Sequence, residues 1–205
     1  MKGLIHTVSI FVCALAAVLS SHSAWAGPAD CECPDIAIKT NLVHDAILTP
    51  DLGIEVVLPA NFSVSLTGTY AWWSNDSRHR YWRIRMGVAE ARYWFGGCAD
   101  CRFLTGHHAG IYASLFDYDF EFGGRGWQSP DASFGVGIAY GYSIKISRNL
   151  NLDFGLRAGY SAGTLIKYKP QCGTYVCTDR SYQRRFGLTG VAVSLVWFPG
   201  RHSKK

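Results

Sequence analysis

The cysteines are the residues whose spacing most directly suggests chemistry, because six of them fall in three close pairs. Such spacing is compatible with disulfides, with half of a zinc site or with a redox pair. The C-x-x-C pair, Cys98 and Cys101, lies between two strand-like runs, with no helix start to activate a thiol. Structural disulfides are therefore the favoured interpretation, with metal and redox roles as the alternatives. The six cysteines are Cys31, Cys33, Cys98, Cys101, Cys172 and Cys177.

Two of these cysteines, Cys172 and Cys177, bracket four residues in a polar segment, and we expect them to pair with one another. The connectivity of the other four stays open, since four cysteines allow three pairings.

Charged residues form a second candidate constellation. Glu90 and Arg92 share one face of the strand-like segment 89–95. A basic side chain that faces lipid at mid-depth costs about 2–4 kcal/mol, so in a membrane barrel this pair should face the interior. We expect a salt-bridge network that plugs the interior. Its predicted members are Lys39, Asp45, Glu55, Glu90, Arg92, Asp153 and Arg157.

A catalytic set can also be considered. Ser114, His108 and Asp117 could act as nucleophile, base and acid, but Ser114 and Asp117 fall on opposite faces of a strand, and no nucleophile motif surrounds the serine. His107 and His108 are neighbours and point to opposite faces, so they cannot readily chelate one metal. We therefore expect no enzymatic activity, no cofactor and no metal.

The composition limits the class of protein that positions these residues. The chain has 205 residues, of which 48% are hydrophobic and 17% charged, with a formal net charge of +5. The charged fraction is below the roughly 25% of ordinary soluble domains, and the aromatic content argues against disorder. The charge excess is modest and forms no basic stripe, so a nucleic-acid partner is not expected.

Residues 1–26 resemble a secretory signal peptide. Lys2 supplies the positive charge, the apolar stretch 8–19 is too short to remain as a membrane-spanning helix, and Ala24-Trp25-Ala26 offers a cleavage site. A transmembrane anchor is the alternative. Cleavage removes Cys13 and leaves an even six cysteines, which suits an exported protein in an oxidising compartment.

The remaining chain alternates large apolar residues with small or polar ones at period two, the pattern of β-strands. Along 149–160, the residues Leu152, Phe154 and Leu156 lie on one face, while Asp153 and Arg157 lie on the other. Such faces describe a narrow barrel with lipid outside and small or polar residues inside. We predict an all-β, antiparallel, up-and-down transmembrane barrel with about eight strands. The predicted strands are 36–47, 52–58, 61–73, 81–95, 102–120, 132–146, 149–166 and 186–198.

This assignment divides the chain into a signal peptide (1–26), a periplasmic lead (27–35), an outer-membrane barrel (36–198) and a basic tail (199–205).

Aromatic residues cluster near the predicted strand ends, as interfacial girdles do. Arg83 and Arg85 have the opposite parity to Glu90 and Arg92, which predicts either a β-bulge or, as we favour, a rim position. The predicted connections alternate: short at 59–61, 96–101 and 147–149, long at 74–80, 121–130 and 169–185, with an unexpectedly short link at 49–51.

Four short pieces of the chain carry a resemblance to a known family. They are IKTNL at 38–42, LGIEV at 52–56, ARYWF at 91–95 and YGY at 140–142. These pieces look like a family of unknown function from Bacteroidota, whose members are small, signal-bearing outer-membrane β-barrels often encoded beside fimbrial genes. The resemblance implies an outer-membrane location and suggests a link to fimbriae, and the family has no agreed catalytic residues to carry over.

The sequence therefore predicts a monomeric, non-enzymatic outer-membrane barrel with a structural, adhesive or fimbria-accessory role at the surface. Its expected partners are outer-membrane lipid and fimbrial or other surface proteins. Two other classes remain as alternatives: an outer-membrane lipid-modifying enzyme, and a soluble periplasmic lipid-binding barrel whose apolar face points inward. The direction in which the apolar side chains point separates the last alternative from the others.

Overall fold

The computed structural model describes residues 36–75, 80–95, 104–147, 149–171 and 174–199. The predicted signal peptide, the lead 27–35 and the tail from residue 200 lie outside the described residues. Five of the predicted disulfide cysteines also lie outside them, namely Cys31, Cys33, Cys98, Cys101 and Cys172.

Within the described residues the fold is antiparallel β-structure with one short helix. The elements in chain order are β1 (Ile36–Asn41), α1 (Leu42–Ala46), β2 (Asp51–Leu58), β3 (Phe62–Asn75), β4 (Arg80–Trp94), β5 (Gly106–Phe122), β6 (Arg125–Gln128), β7 (Ser133–Ser147), β8 (Leu150–Gln171) and β9 (Thr174–Trp197). None of the helical segments in the described ranges has the length and apolar character needed to cross a membrane.

The sheet closes into a ring. Each long strand pairs antiparallel with its chain neighbours, and β1 pairs with both β2 and β9, which joins the first strand to the last. Eight of the strands complete this ring. The short β6 pairs with the end of β5 on one side and with β8 on the other, beyond the residue at which β7 begins. The predicted all-β antiparallel barrel is therefore confirmed, with one additional short strand in its nine-stranded sheet.

The first predicted strand, 36–47, is wrong in its second half. β1 ends at Asn41, whose side-chain oxygen accepts a hydrogen bond from the Val43 N–H and caps helix α1. Asparagine is among the best helix N-caps because its side chain satisfies a backbone donor that the first turn leaves free. The predicted short link at 49–51 is consequently the end of a longer connection, 42–50.

Two predicted polar loops contain strands instead. The loop expected at 169–185 is the end of a hairpin in which β8 and β9 pair almost to their tips. The loop expected at 121–130 holds the end of β5, a turn with positive φ at Gly123 and Gly124, and β6. Glycine fits such a turn because it adopts positive φ without steric cost.

The side chains divide by face as the period-two pattern predicts. Ile138 on β7 is 66% exposed and its neighbour Ala139 only 6%, while on β8 Phe154 is exposed and Asp153 is buried. Apolar side chains thus cover the outer surface and small or polar ones fill the interior. A soluble lipid-binding barrel needs the opposite arrangement, so the structure argues against that alternative.

Apolar side chains close the end of the barrel at which β1 begins and β9 ends. This cluster is formed by Ala37, Trp94, Leu104, Val196 and Phe198. Trp94 therefore faces the interior, although it lies near the end of the predicted strand 81–95, where the aromatic residues were expected to form a girdle. Trp82 also packs against Phe120, with ring centroids 4.4 Å apart, whereas Trp72 and Trp73 are exposed as a girdle requires.

Candidate functional site: a buried charge network

Six of the seven predicted network residues meet inside the barrel. They come from β1, β2, β4 and β8, and each lies at a position whose side chain points inward. Gly53 on β2 makes room for them, because a Cβ there would lie 2.8 Å from Cγ of Lys39 and 2.7 Å from Oγ1 of Thr67. The six residues are Lys39, Glu55, Glu90, Arg92, Asp153 and Arg157.

Arg92 is the centre of the network. Its guanidinium contacts Glu90 on the same strand, Asp153 on β8 at 3.0 Å and Glu55 on β2 at 3.5 Å. The side chain is only 5% exposed, so these contacts are made away from bulk water. One arginine thereby ties three strands together, which its five fixed N–H donors allow.

The remaining contacts balance the charge. Arg157 lies 2.8 Å from the second oxygen of Glu90, and Lys39 lies 3.2 Å from Glu55. The network thus joins three carboxylates to three basic side chains, so the formal charges of these six residues cancel. Buried charges persist only when they are paired and hydrogen-bonded in this way.

His108 completes the network, although the sequence analysis had not included it there. Its Nε2 lies 2.8 Å from Asp153, its ring packs on Trp94 with centroids 4.4 Å apart, and it is fully buried. The Nδ1 atom has no hydrogen-bond partner among the described residues. The available signal was parity, because His108 shares the inward face of its strand with Tyr112.

Polar neighbours orient the carboxylates. Ser63 donates a hydrogen bond to Glu55 at 2.6 Å, and the indole of Trp94 donates to the Ser63 hydroxyl at 2.9 Å. These contacts connect the charge network to the apolar cluster at the closed end. At the level of these residues, the interior of the barrel is therefore packed and hydrogen-bonded.

Asp45, the seventh predicted member, is not brought into the network. It lies on helix α1 and accepts a hydrogen bond from Thr40 at 2.8 Å. Beside it His44 contacts Asp51 at 2.9 Å. The prediction placed Asp45 inside because the strand was expected to continue through residue 47.

A small cavity lies between this helix and the charge network. Its volume is about 20 Å³, which holds roughly one water molecule. Its lining includes Lys39, Arg92 and Arg157 of the network, together with His44, Asp51 and Thr69. The cavity is too small for an organic substrate.

Arg83 and Arg85 point outward, at the end of the barrel opposite the one where β1 begins and β9 ends. They pair across the strands with Asp119 and Asp117, at 4.0 Å and 3.0 Å. The register of β4 runs without a bulge on both sides, so these arginines are a rim feature. Nearby, the Tyr168 hydroxyl donates to Asp119 at 2.7 Å, and burial followed by this hydrogen bond raises the pKa of Tyr168.

The structure does not bring the considered catalytic set together. Ser114 faces the interior and donates to the Gly135 carbonyl at 3.4 Å, Asp117 faces outward to Arg85, and His108 is bound to Asp153. Within the described ranges, no group of three or more histidine, cysteine or acidic side chains is placed to hold a metal ion.

Cys177 is exposed on β9, and its thiol donates weakly to the Asp179 carbonyl at 3.7 Å. Its expected partner, Cys172, lies outside the described residues, and so do the other four cysteines. The disulfide assignments therefore stay predictions.

The chain also matches a protein-family model. Residues 9–198 match the model of the family described as "Protein of unknown function (DUF3575)". The chain belongs to this family. The match covers the described barrel from β1 to β9, so the ring and its buried network are features of the family's domain in this chain.

No curated protein matches the chain. Among solved structures, the chain is similar to Neisserial surface protein A (NspA), with 17% identity and a TM-score of 0.37 over 80% of this chain and 92% of that one. At that TM-score the likeness supports no conclusion about this chain.

Proposed function

We propose that the protein is an exported, monomeric outer-membrane barrel with a sealed interior, and that it serves a non-enzymatic structural or adhesive role at the cell surface. The observation that carries the proposal is the division of side chains, with apolar residues outside and a neutral, fully paired charge network inside. Water-soluble barrels gain stability by burying their apolar face, whereas a bilayer favours the reverse.

The outer surface on the β1 side supports membrane insertion. β1 and β2 have only six and eight residues, fewer than the 9–11 that a transmembrane strand needs. Helix α1 and the following link continue this side of the barrel, and they expose Leu42, Val43, Ile47 and Leu48. A helix satisfies its own backbone hydrogen bonds, so it can extend a lipid-facing wall where strand pairing ends.

The filled interior supports a role other than transport. The apolar cluster closes one end, the charge network fills the next layer, and the cavity above it has a volume of about 20 Å³. A conducting porin instead keeps a continuous aqueous channel. We therefore propose that the chain acts through its outer surface and its long hairpin, as an anchor or an accessory to surface fimbriae in a bacterium of the Bacteroidota.

Reconstitution tests this proposal. Purified protein should require detergent for recovery, migrate differently on gels before and after heating, and show no large steady conductance in planar bilayers. A 16-stranded porin reconstituted in the same way supplies the positive control for conductance. Recovery in the soluble periplasmic fraction without detergent would contradict the location, and a steady open channel would contradict the sealed interior.

Enzymatic activity is tested separately. The protein, incubated with outer-membrane lipids, should release or transfer no acyl chains. Acyl transfer that is abolished by Ser114→Ala would favour the lipid-modifying alternative.

A further inference from the structure

Strand β9 has one edge without a strand partner over much of its length. It pairs with β8 from Thr174 to Trp197 but with β1 only from Ser194 to Trp197. From Thr174 to Arg185, beyond the level at which Phe186 aligns with Tyr160 and Val136, the edge that faces away from β8 meets no other strand among the described residues. An unpaired edge presents a row of backbone N–H and C=O groups on which another strand can pair.

The same part of β9 is exposed on its faces as well as at its edge. Tyr182 is 57% exposed, and Arg180, Arg184 and Arg185 are exposed as well. Natural edge strands are normally short, covered or interrupted by proline. This one has a bulge at Thr178, but from Asp179 to Arg185 it pairs with β8 without interruption and contains no proline.

We propose that this edge of β9 binds an extended, acidic segment of another surface protein as an added antiparallel or parallel strand. The inference deepens the proposed surface role and rests on it, because the edge must lie outside the hydrocarbon, where each unpaired backbone group would cost several kcal/mol. Strand addition of this kind takes its affinity from main-chain hydrogen bonds and its specificity from alternate side chains.

Charge decides the kind of partner. Arg180 and Arg184 pair with Ile166 and Ala162 of β8, and so lie on the same outward face. In the part of the chain that the structure describes, no carboxylate lies within ion-pair distance of either guanidinium, and Arg184 rests on the Tyr182 ring at 5.5 Å. Acidic side chains at alternate positions of an added strand would meet these arginines.

The same charges disfavour a second copy of this chain. Two β9 edges paired with each other would bring Arg180, Arg184 and Arg185 of one copy close to those of the other. Like charges placed opposite one another on a sheet are destabilising. The arginines therefore reject self-association and select an acidic strand.

A fluorescent synthetic peptide of about ten residues, alternating glutamate with valine, tests the proposal on the full, detergent-solubilised protein. We expect saturable binding, read by fluorescence anisotropy. The double variant Arg180→Glu/Arg184→Glu should weaken binding by about tenfold or more, since close charge pairs contribute at least about 1.5 kcal/mol. Arg125→Glu, an exposed arginine on β6 away from the edge, is the matched control and should bind like the unchanged protein.

Two further peptides separate strand addition from charge attraction. The same peptide with N-methyl groups along one backbone edge should fail to bind, and so should a version with lysine in place of glutamate. Equal binding of the N-methylated peptide would overturn the proposal, as would no binding of the acidic one. Dimerisation that Arg180→Glu/Arg184→Glu abolishes would overturn it in favour of a second copy.

The outcome for the proposed function is read independently in the same preparations. Heat-modifiable migration and vesicle insertion report whether the protein is a membrane barrel, whatever the peptide does. Insertion without peptide binding would contradict only the strand-addition inference. Absence of insertion would contradict the proposed function itself. The double variant should show the same heat-modifiable migration as the unchanged protein, which shows that it is folded in the peptide-binding assay.

Discussion

Arg92 shows how much depends on a single side chain in this barrel. It contacts Glu55, Glu90 and Asp153, two of which belong to other strands, and all of these groups are buried. Removing one partner of a buried pair is costly because the other charges remain without compensation. The network is therefore fragile to single substitutions, although it is balanced when intact.

Arg92→Met should lower the free energy of unfolding by about 3–5 kcal/mol, because it removes the central cation and keeps the three carboxylates buried. Urea unfolding in lipid vesicles, followed by tryptophan fluorescence, measures the change. Arg85→Met is the control, since Arg85 is 44% exposed in its ion pair with Asp117 and exposed pairs contribute about 0–1 kcal/mol. Equal losses for the two variants would contradict the central role of Arg92.

Gly53→Ala should also destabilise the barrel, by about 1–3 kcal/mol, because the added methyl group would overlap Thr67 and Lys39 beside the network. Gly68→Ala on the adjacent strand is the matched control, since nothing lies within 4 Å of its added methyl group. The same unfolding assay compares them. If both changes had the same effect, tight packing around Lys39 would be refuted.

Parity along the strands was enough to predict most of the interior residues. Glu90 with Arg92, and Asp153 with Arg157, have the opposite parity to large apolar neighbours, and the structure places them together. His108 was missed because the sequence draws attention to the His107-His108 pair rather than to its face. Asp45 was misplaced because period-two reasoning could not detect the Asn41 cap that ends the strand.

At the scale of elements, two β-bulges explain why the first half of β9 was predicted to be a loop. The β8–β9 pairing shifts register between Arg157 and Ala158 and again between Lys167 and Tyr168. The extra residues, Thr189 and Thr178, both lie on β9. Each bulge exchanges the faces of the residues beyond it on that strand, so the period-two alternation of β9 is interrupted twice. The same residues are polar, and both features made 169–185 look like a loop.

The Asn41 side chain links two elements, since its oxygen accepts from Val43 in α1 and from Val193 in β9. Asn41→Ala should destabilise the helix by about 0.5–2 kcal/mol through loss of the cap. Hydrogen exchange at residues 42–46 and at Val193 should then accelerate. Asn41→Asp keeps an acceptor and should preserve the protection. Unchanged exchange in Asn41→Ala would show that the cap does not hold α1 in place.

At the scale of the whole molecule, the barrel is distinguished by which side chains lie on its outer face. The outward position of Ile138 and Phe154 against the inward Ala139 and Asp153 is a geometric fact of the ring. The proposed membrane insertion would give this arrangement its physical reason. The hairpin of β8 and β9 carries the edge that we propose as the surface for a partner.

Spin labels along β7, in protein reconstituted in vesicles with serine at its native cysteine positions, test this claim most directly. Cysteines placed one at a time at Val136, Ile138 and Ile144 should give labels reached by lipid-soluble oxygen, while labels at Ala139 and Ser143 should be shielded from oxygen and from water-soluble nickel chelates. A period-two alternation of oxygen accessibility is the predicted result. Uniform accessibility to the water-soluble chelate along β7 would contradict the membrane barrel.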